Sequence, residues 1–516
     1  MTDQLPPPVR GFLDLHPGAT VLGADTVPGL ALQVAVIARD VTSLRTTPCP
    51  HGVLARAIGV FLREGAGAPV VVPRPEWPVL RSLRSRRAKA GWWTVLRFAE
   101  PVDVAAVLGE IAAQSTWGSQ AVARPVLPGA TGAPGALDPR VINPIGFLAE
   151  APEPVQDLAD LDISAGVTPA LVASLRQARG VRWDPAAPAP GSEQQVVAAV
   201  EGLALAGVPV TLAGPSGGAG LGPGPDPRLV PGLDPRLVQA LGAPVDLDDE
   251  VAREEHSLVA RRAAYDLVTA RSGSDAQPSV SVLLATRRAD MLDFALAQVA
   301  RQRGVARLEL VLAPHGFDVD AQSVRDRVGP DVAVQVLPHA ADVMFGDVLE
   351  AAARAAGGDV VLKMDDDDWY APDVVADLLR ARGYSGAELV GMPAELHYLT
   401  DRDLTVKRGH PMEFYAKFVA GGTMLLDRSV LREVGGFRSV KKYVDAQLIA
   451  SVLAAGGAVY RTHGLGYVLR RNPTGHTWQV DSDYLLDPSR TRAIWPGFCP
   501  SRLLEPDPRH RPVPTT

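Results

Sequence analysis

The sequence of 516 residues has few cysteines, few lysines and no long hydrophobic run. Its two cysteines, Cys49 and Cys499, lie near opposite ends of the chain, which excludes a disulfide framework and a cysteine-based zinc site. A reducing compartment fits this composition best, so we expect a cytoplasmic protein. The apolar runs at 31–38 and 280–285 are far shorter than the ~20 residues of a membrane-spanning helix. Any membrane contact would therefore be peripheral, at the inner face of the membrane.

Charge and composition narrow the class of protein further. The net charge is −7, which argues against a strongly basic chain that coats nucleic acid, although a local basic groove stays open. Lysine supplies only six of the 51 basic residues, which we interpret as a compositional bias towards arginine. The N-terminus lacks a basic region followed by an apolar core, so we expect no signal peptide. The length predicts two or three domains.

Stretches rich in proline and glycine divide the chain. They lie at 125–139, 185–191 and 214–235 and predict surface loops. The segment 272–278 has the composition of a linker and follows a predicted helix over 248–270. We therefore predict an N-terminal α/β domain over 1–271, a second domain over 279–498 and a tail over 499–516.

In the second predicted domain, short apolar runs alternate with helical patterns. The runs at 280–285, 308–312, 332–337 and 360–364 predict strands, and helices are predicted from about 290 and 342. This alternation is typical of a mostly parallel sheet with helices on both faces. Ligands bind beyond the carboxyl ends of such strands.

Four aspartates, Asp365 to Asp368, follow the fourth predicted strand directly. Adjacent carboxylates repel one another, and a divalent cation would offset that repulsion, since Mg²⁺ and Mn²⁺ prefer oxygen ligands. The alternative is a solvated acidic turn, with aspartate capping the helix that Pro372 opens. The position of the run at a strand end favours the metal interpretation.

Several segments together resemble a family 2 glycosyltransferase of the GT-A fold. They are SVSVLLATRR, GDVLEAAARAAGGDVVLKMDDDDWYAPD, GGTMLLDRSVLREVGGF, VDAQLIASVLAAGG and the final GHTW, within residues 279–478. The resemblance implies a GT-A-like, mostly parallel sheet sandwiched by helices, preceded by a separate α/β domain. It also implies a metal-dependent, hexosyltransferase-like enzyme that moves a sugar from a nucleotide-sugar donor to an acceptor hydroxyl, with inversion.

The resemblance assigns roles within the aspartate run. It implies that Asp365 contacts the ribose of the donor and that Asp367 holds Mn²⁺ or Mg²⁺, with Asp368 as a neighbouring ligand. Asp366 and Asp368 are close enough to exchange these roles, so the assignment within the run stays open. His476 is a candidate third metal ligand or diphosphate contact. A bound metal would act as a Lewis acid for the departing nucleoside diphosphate.

Asp445 is the candidate general base. Family members carry a Glu-Asp pair here, and Asp445 matches the second carboxylate, while Val444 replaces the first acid. A carboxylate suits the role because it can take the proton from the attacking acceptor hydroxyl. The alternative role is helix N-cap.

Other donor contacts are implied by position. Thr286, Arg287 and Arg288 follow the first strand, where the family contacts the nucleotide. Gly422 permits close backbone approach. Arg470 and Arg471 can pair with a diphosphate or be surface arginines. The family's base-binding aspartate is replaced by Ala-Pro-His-Gly at 313–316, so the donor nucleotide stays open. Trp369 and Trp478 are candidates for sugar stacking or for the core.

The N-terminal half carries weaker signals. Strands are predicted near 21–22, 32–37, 70–72 and 93–98, and the segment 196–212 predicts helix, turn and strand. That segment faintly resembles a GT-B nucleotide-binding half, with Glu201 matching a ribose-binding acid; a structural βα unit is the alternative. A non-catalytic sugar-nucleotide or glycan-binding protein is the second functional hypothesis. The acceptor class (glycan, lipid-linked or small molecule) stays open, and we expect no nucleic-acid partner.

Overall fold

The computed structural model describes four sheets and the helices between them. The described residues are 5–14, 19–22, 29–30, 33–40, 42–45, 52–64, 69, 71, 77–78, 80–88, 91–115, 150–188, 190–213, 232–271, 277–471, 482–489, 491–507 and 509. The sheets confirm the mixed α/β class that the sequence predicts.

The first sheet is built from the N-terminal residues. Its strands are β1 Thr20–Val21, β2 Gly29–Leu30, β3 Gln33–Ala38, β4 Val53–Leu62, β5 Leu80–Ala88 and β6 Gly91–Asp103, with helices α1 Pro7–Asp14 and α2 Val104–Ser115. The order is β1-β3-β4-β6-β5, and β2 also pairs with β4. Because β5 pairs only with β6 among the described strands, the arginine-rich β5 forms an edge of this sheet. Of the strands predicted here, the one near 70–72 lies mainly outside the described residues.

A small parallel sheet follows. It joins β7 Gln156–Asp157, β8 Val181–Trp183 and β9 Val210–Leu212, and four helices accompany it: α3 Pro169–Leu175, α4 Glu193–Leu205, α5 Pro235–Leu241 and α6 Glu250–Arg271. Helix α4 begins with a capping box in which Ser192 and Gln195 bond each other's backbone. Glu201 is buried and pairs with Arg271 at 2.6 Å. This contact supplies a structural role for Glu201 in a βα unit.

The largest sheet contains eight strands. Its order is β12-β11-β10-β13-β19-β15-β20-β18, with β10 Val280–Thr286, β11 Leu308–Pro314, β12 Val332–Val336, β13 Val360–Met364, β15 Leu389–Gly391, β18 Phe414–Tyr415, β19 Leu425–Asp427 and β20 Val459–Arg461. The first four are parallel, and β19 is antiparallel to β13. Helices α7 Leu292–Ala300, α8 Ala321–Val328, α9 Phe345–Ala355, α10 Val374–Ser385, α11 Arg428–Glu433 and α12 Val444–Ala454 accompany it. All four predicted strands are confirmed, with ends shifted by at most two residues.

A five-stranded sheet completes this half of the chain. It runs β14-β21-β16-β17-β22, with β14 Trp369–Tyr370, β16 Leu396–Leu399, β17 Leu404–Lys407, β21 Tyr467–Arg471 and β22 Ala493–Pro496, and α13 Ser482–Leu486 precedes β22. Strand β14 follows the aspartate run directly. The run therefore lies where the chain passes from the eight-stranded sheet to the five-stranded one.

Helix α6 packs against residues far along the chain. Arg262 Nε lies 2.8 Å from Asp377 Oδ1, and Arg380 Nε lies 2.8 Å from Asp266 Oδ1. Arg261 pairs with the buried Glu413. Buried apolar residues from Leu158 to Leu504 form one continuous core. The domain division near residue 275 stays a prediction, and these contacts show that α6 packs against residues on the far side of it.

No helix that the structure describes has the length and apolar composition needed to cross a bilayer.

Candidate active site

The carboxyl ends of β10 and β13 bring the candidate residues together. Thr286 is the last residue of β10, and Asp365 follows β13. The short turn Gly421–Thr423 lies beside them, because it leads into β19, which runs antiparallel to β13. Asp445 lies in the first turn of α12. The carboxyl ends of these central strands thus bring together residues that are far apart in sequence.

The aspartate run is buried rather than solvated. The relative exposures of Asp366, Asp367 and Asp368 are 5%, 6% and 5%. Burial raises the pKa of Asp367 and, more strongly, that of Asp368, and neighbouring aspartates add to the shift. The alternative of a solvated acidic turn is therefore wrong for these three residues.

Arg288 offsets much of the charge on the run. Its guanidinium group donates to both carboxylate oxygens of Asp366, and its Nη1 lies 2.8 Å from Asp367 Oδ2. The Thr286 hydroxyl also donates to Asp366. Thr286, predicted to touch the donor, is buried and donates to an aspartate of the run.

Asp368 is bound by groups from strand β21. The hydroxyl of Tyr467 donates to its Oδ2, and the backbone N–H of Arg470 donates to its Oδ1 at 2.9 Å. The Arg470 guanidinium lies over the Trp369 ring at 4.3 Å. Trp369 itself is 1% exposed, so the structure places it in the core and the stacking interpretation is wrong for this residue.

Asp365 and Asp445 share one lysine. Lys363 Nζ lies 2.6 Å from Asp365 Oδ1 and 3.3 Å from Asp445 Oδ1, and it donates to the carbonyl of Gly421 at 3.3 Å. Lys363 is 3% exposed, whereas the side chains of both aspartates are 35% exposed. The lysine is therefore buried beneath two carboxylates that can both be reached from solvent.

Asp445 lies in the first turn of α12 but does not cap the helix. Tyr443, not Asp445, occupies the N-cap of α12, so the N-cap interpretation is wrong. Burial and the neighbouring Asp365 raise the pKa of Asp445, and Lys363 opposes them. A carboxylate with a raised pKa is a stronger proton acceptor, provided that it stays ionised at the working pH.

Two glycines make room for these carboxylates. A Cβ atom at Gly421 would lie 2.0 Å from Asp445 Oδ2, and one at Gly422 would lie 2.8 Å from Asp365 Oδ2. The Tyr370 hydroxyl accepts from the backbone N–H of Asp365 and donates to the carbonyl of Gly422, at 2.8 and 2.9 Å. Glycine is thus required here for close packing, and not for an unusual backbone angle.

The other residues that the sequence predicted to contact the donor or the metal lie in different surroundings. Arg287 turns towards His315, with its Nε 3.0 Å from His315 Nδ1, and donates to the carbonyl of Ala341. Arg471 is buried on β21, near enough for Asp368 and Asp367 to affect its pKa. His476 and Trp478 lie outside the described residues. His463, a weaker histidine candidate, bonds Asp377 at 2.9 Å and belongs to the network around α6.

The sequence left the role of Lys363 undefined, and for Arg288 it indicated only a general contact with the nucleotide. Lysine in a buried strand needs a partner, so the apolar run VVLKM contained a signal for Lys363. Arg288 stands beside residues predicted to touch the donor, but its pairing across two strands is a tertiary contact. In the part of the chain that the structure describes, no group of three or more acidic, histidine or cysteine side chains is arranged to hold a metal ion.

Comparison with known proteins gives limited results. No family profile matches the sequence, and none of the curated proteins matches it. Among solved structures, the mannosyltransferase PcManGT from Pyrobaculum calidifontis, in complex with GDP-Man and Mn²⁺, is similar to 39% of this chain at 17% identity, with a TM-score of 0.32. S. aureus TarS 1–349 in complex with UDP-GlcNAc is similar to 39% of it at 15% identity, also with a TM-score of 0.32.

Each match covers only part of this chain and only part of the structure that it is compared with. The matched regions make up 59% of the mannosyltransferase chain and 60% of the TarS 1–349 chain. With identities and TM-scores this low, no functional conclusion follows from the matches. The chain is similar to parts of glycosyltransferase structures, and its α/β class is established by its own sheets and helices.

Proposed function

We propose that this chain is an inverting, hexosyltransferase-like glycosyltransferase that moves a sugar from a nucleotide-sugar donor to an acceptor hydroxyl. The observation that carries the proposal is the placement of Asp445 and Asp365 on either side of the Gly421–Gly422 turn, with Lys363 between them. This group lies at the carboxyl ends of parallel strands, where α/β sheets bind their ligands.

In the proposed reaction, Asp445 accepts the proton of the acceptor hydroxyl. The acceptor oxygen forms a bond to the anomeric carbon while the bond from that carbon to the diphosphate oxygen breaks, and the nucleoside diphosphate leaves. Attack from the face opposite to the leaving group inverts the anomeric centre. The partial exposure of Asp445 suits this role, since the base must reach the acceptor within hydrogen-bond distance.

Donor binding is proposed for the residues around the turn. Asp365 is 35% exposed and can accept hydrogen bonds from ribose hydroxyls. The Gly422 backbone allows the donor to come close. Arg471, Arg287 and Thr286 stay proposed donor contacts, Thr286 acting through Asp366.

A divalent cation is proposed at Asp367. Burial and the neighbouring aspartates raise the pKa of this carboxyl in spite of Arg288, so its ionised form is disfavoured, and a bound cation would stabilise that form. Mg²⁺ or Mn²⁺ needs only one or two protein carboxylates when phosphates supply the other ligands. Asp368 is the less favourable ligand, because both of its oxygens already accept hydrogen bonds. When bound, the cation would stabilise charge on the departing diphosphate; His476 stays a proposed further ligand.

The decisive experiment measures donor use. The full chain is incubated with a panel of nucleotide sugars, Mn²⁺ or Mg²⁺ and candidate acceptors, and release of nucleoside diphosphate is followed. Asp445→Asn should lower transfer by about 10²- to 10⁴-fold, the usual contribution of a general base, with donor binding retained. The anomeric configuration of the product tests inversion.

Asp427→Asn is the matched control. Asp427 is also 35% exposed and also paired with a basic side chain, Arg382, but it lies at the other end of β19. This variant should retain transfer. The absence of both donor binding and nucleoside diphosphate release across the panel would overturn the proposal. Donor binding without turnover would instead favour a non-catalytic sugar-nucleotide-binding protein. Equal activity in Asp445→Asn would remove the base assignment. The acceptor class and the cytoplasmic location stay predictions.

A further inference from the structure

We propose that Lys363 is a positioning residue for the reaction: its ammonium group orients Asp445 and balances the negative charges of Asp445 and Asp365 together. This inference rests on the proposed function, because it gives Lys363 a role towards the proposed base. It goes beyond that function because it assigns a role to a residue that neither the acceptor nor the donor needs to touch.

The geometry directs the lysine towards this site. An ammonium group has three donor hydrogens. Lys363 Nζ has three oxygen neighbours within 3.3 Å, at Asp365, Asp445 and the carbonyl of Gly421. All three belong to the site. Lys363 donates hydrogen bonds to Asp365 and to the Gly421 carbonyl, and it forms an ion pair with Asp445 Oδ1, which accepts no hydrogen bond in the described structure.

Burial makes this charge effective. Lys363 lies in the middle of the sheet, where β13 pairs with β10 on one side and with β19 on the other. It is 3% exposed, so its interaction with the carboxylates is screened little by water. A buried lysine would ordinarily lose its charge, but Asp365 and Asp445 overcome this and raise its pKa. Lys363 therefore stays positively charged throughout the physiological range.

The charge balance at Asp445 then depends on Lys363. The charged groups that act on Asp445 are Lys363, which favours its ionised form, and Asp365, which disfavours it. Lys441 and Lys442 on the preceding turn are exposed to solvent. Without the ammonium group, burial and Asp365 would act unopposed, and the pKa of Asp445 would rise further. The base would then be protonated over a wider pH range, and transfer would be lost on the acidic side.

The test is the pH dependence of kcat/KM for transfer. A base must be ionised, so the rate falls as the pH drops through the pKa of the base. Lys363→Met should move this acidic limb to higher pH by about one unit or more, and it should also lower the rate on the plateau above the limb, because Asp445 loses the group that orients it. Lys363→Arg keeps the charge and should leave the limb near its wild-type position, although the longer side chain reduces the rate.

Lys407→Met is the matched control. Lys407 is also 3% exposed and also paired with carboxylates, with Nζ 2.7 Å from Glu250, but it lies on β17 away from the turn. The Lys407→Met variant should be less stable than the wild type, and its acidic limb should be unchanged. A Lys363→Met protein with reduced activity at every pH and an unmoved limb would show that the lysine is only structural, and would overturn the inference.

Asp365→Asn decides the question if Lys363→Met does not fold. This variant removes the like charge that shares the lysine, so the acidic limb should move to lower pH. An unmoved limb here would also contradict the inference. Failure of the proposed function looks different, because the wild-type chain itself would then show no transfer and no pH profile.

Discussion

Two runs of like charge in this chain have opposite environments. The four aspartates from Asp365 to Asp368 lie at the carboxyl end of a central strand, and basic or hydroxyl groups contact each of their side chains. Strand β5 carries Arg84, Arg86 and Arg87, which are exposed on a sheet edge. No ion pair joins these three arginines to an acid that the structure describes.

The difference follows from the cost of removing charge from water. A buried charge without a partner is strongly unfavourable, so the aspartate run can exist only with Lys363, Arg288 and Tyr467 beside it. An exposed charge needs no partner, and charges on an edge strand discourage pairing with the edge of another chain. The aspartate run is therefore a site assembled by tertiary contacts, and the arginine run is a solvated strand edge.

The largest expected effect comes from crowding the aspartate run. Gly422→Ala puts a Cβ 2.8 Å from Asp365 Oδ2 and from the Tyr467 hydroxyl, so both must move. A displacement of about 1 Å at a reacting site costs about 100-fold in rate, and we expect a loss of that size in transfer. Gly109→Ala is the control: its Cβ has open space in helix α2, so transfer should be unchanged. Wild-type activity in Gly422→Ala would show that the site is looser than its contacts indicate.

A smaller effect tests the cost of a buried carboxylate with an incomplete set of partners. Glu254 on α6 is buried, its Oε2 accepts no hydrogen bond in the described structure, and Lys407 lies 3.8 Å away. Burial raises its pKa to about 7. The folded state therefore binds this proton more tightly than the unfolded chain does, and stability falls as the pH rises from about 4.5 to 7.

Glu254→Gln should remove this pH dependence. We expect the variant to be more stable than the wild type at pH 8, by about 1–3 kcal/mol, and equal to it near pH 4.5. Glu250→Gln is the matched control with the opposite sign: Glu250 contacts the same lysine, but the sum of its contacts lowers its pKa. It should be less stable than the wild type at pH 8. Denaturant unfolding at the two pH values would measure both, and a destabilised Glu254→Gln protein at pH 8 would refute the prediction.

The smallest effect on folding is expected at the arginine edge. Replacing Arg84, Arg86 and Arg87 together by serine should change the free energy of unfolding by no more than about 0.5 kcal/mol, since the side chains are exposed. The edge would lose its charge, and light scattering of concentrated samples should show more association than in the wild type. The triple replacement by lysine keeps the charge and should behave as the wild type. A large loss of stability in the serine variant would mean that the arginines have partners within the fold.

The sequence predicted the strands of the eight-stranded sheet because each is a short apolar run bounded by polar residues. Val360–Met364 has the predicted ends, and the aspartates follow it as expected. The proximity of Asp445 and the Gly421–Gly422 turn to Asp365 came from a resemblance, and the structure brings these residues together. Their roles stay predictions.

The missed features depend on contacts between distant segments. Strand β5 reads LRSLRSRRA, which has no apolar alternation because residues 83–87 are exposed on both faces of the strand, so it gave no strand signal. The pairing of Arg288 with Asp366 and Asp367 joins residues 78 and 79 positions apart. The sequence could indicate that the carboxylates need cations, but it could not show that side chains of the chain itself supply them.

Because Asp365 and Asp445 share one lysine, the effects of substitutions at the two aspartates depend on each other. Substitutions at residues with a common partner are not additive, and their coupling is usually 0.5–3 kcal/mol in size. Removing either aspartate alters the electrostatic field at the other. Under the roles proposed above, a change in donor preference at Asp365 would also change the strength of Asp445 as a base, so that donor specificity and acceptor activation would be adjusted together by mutation.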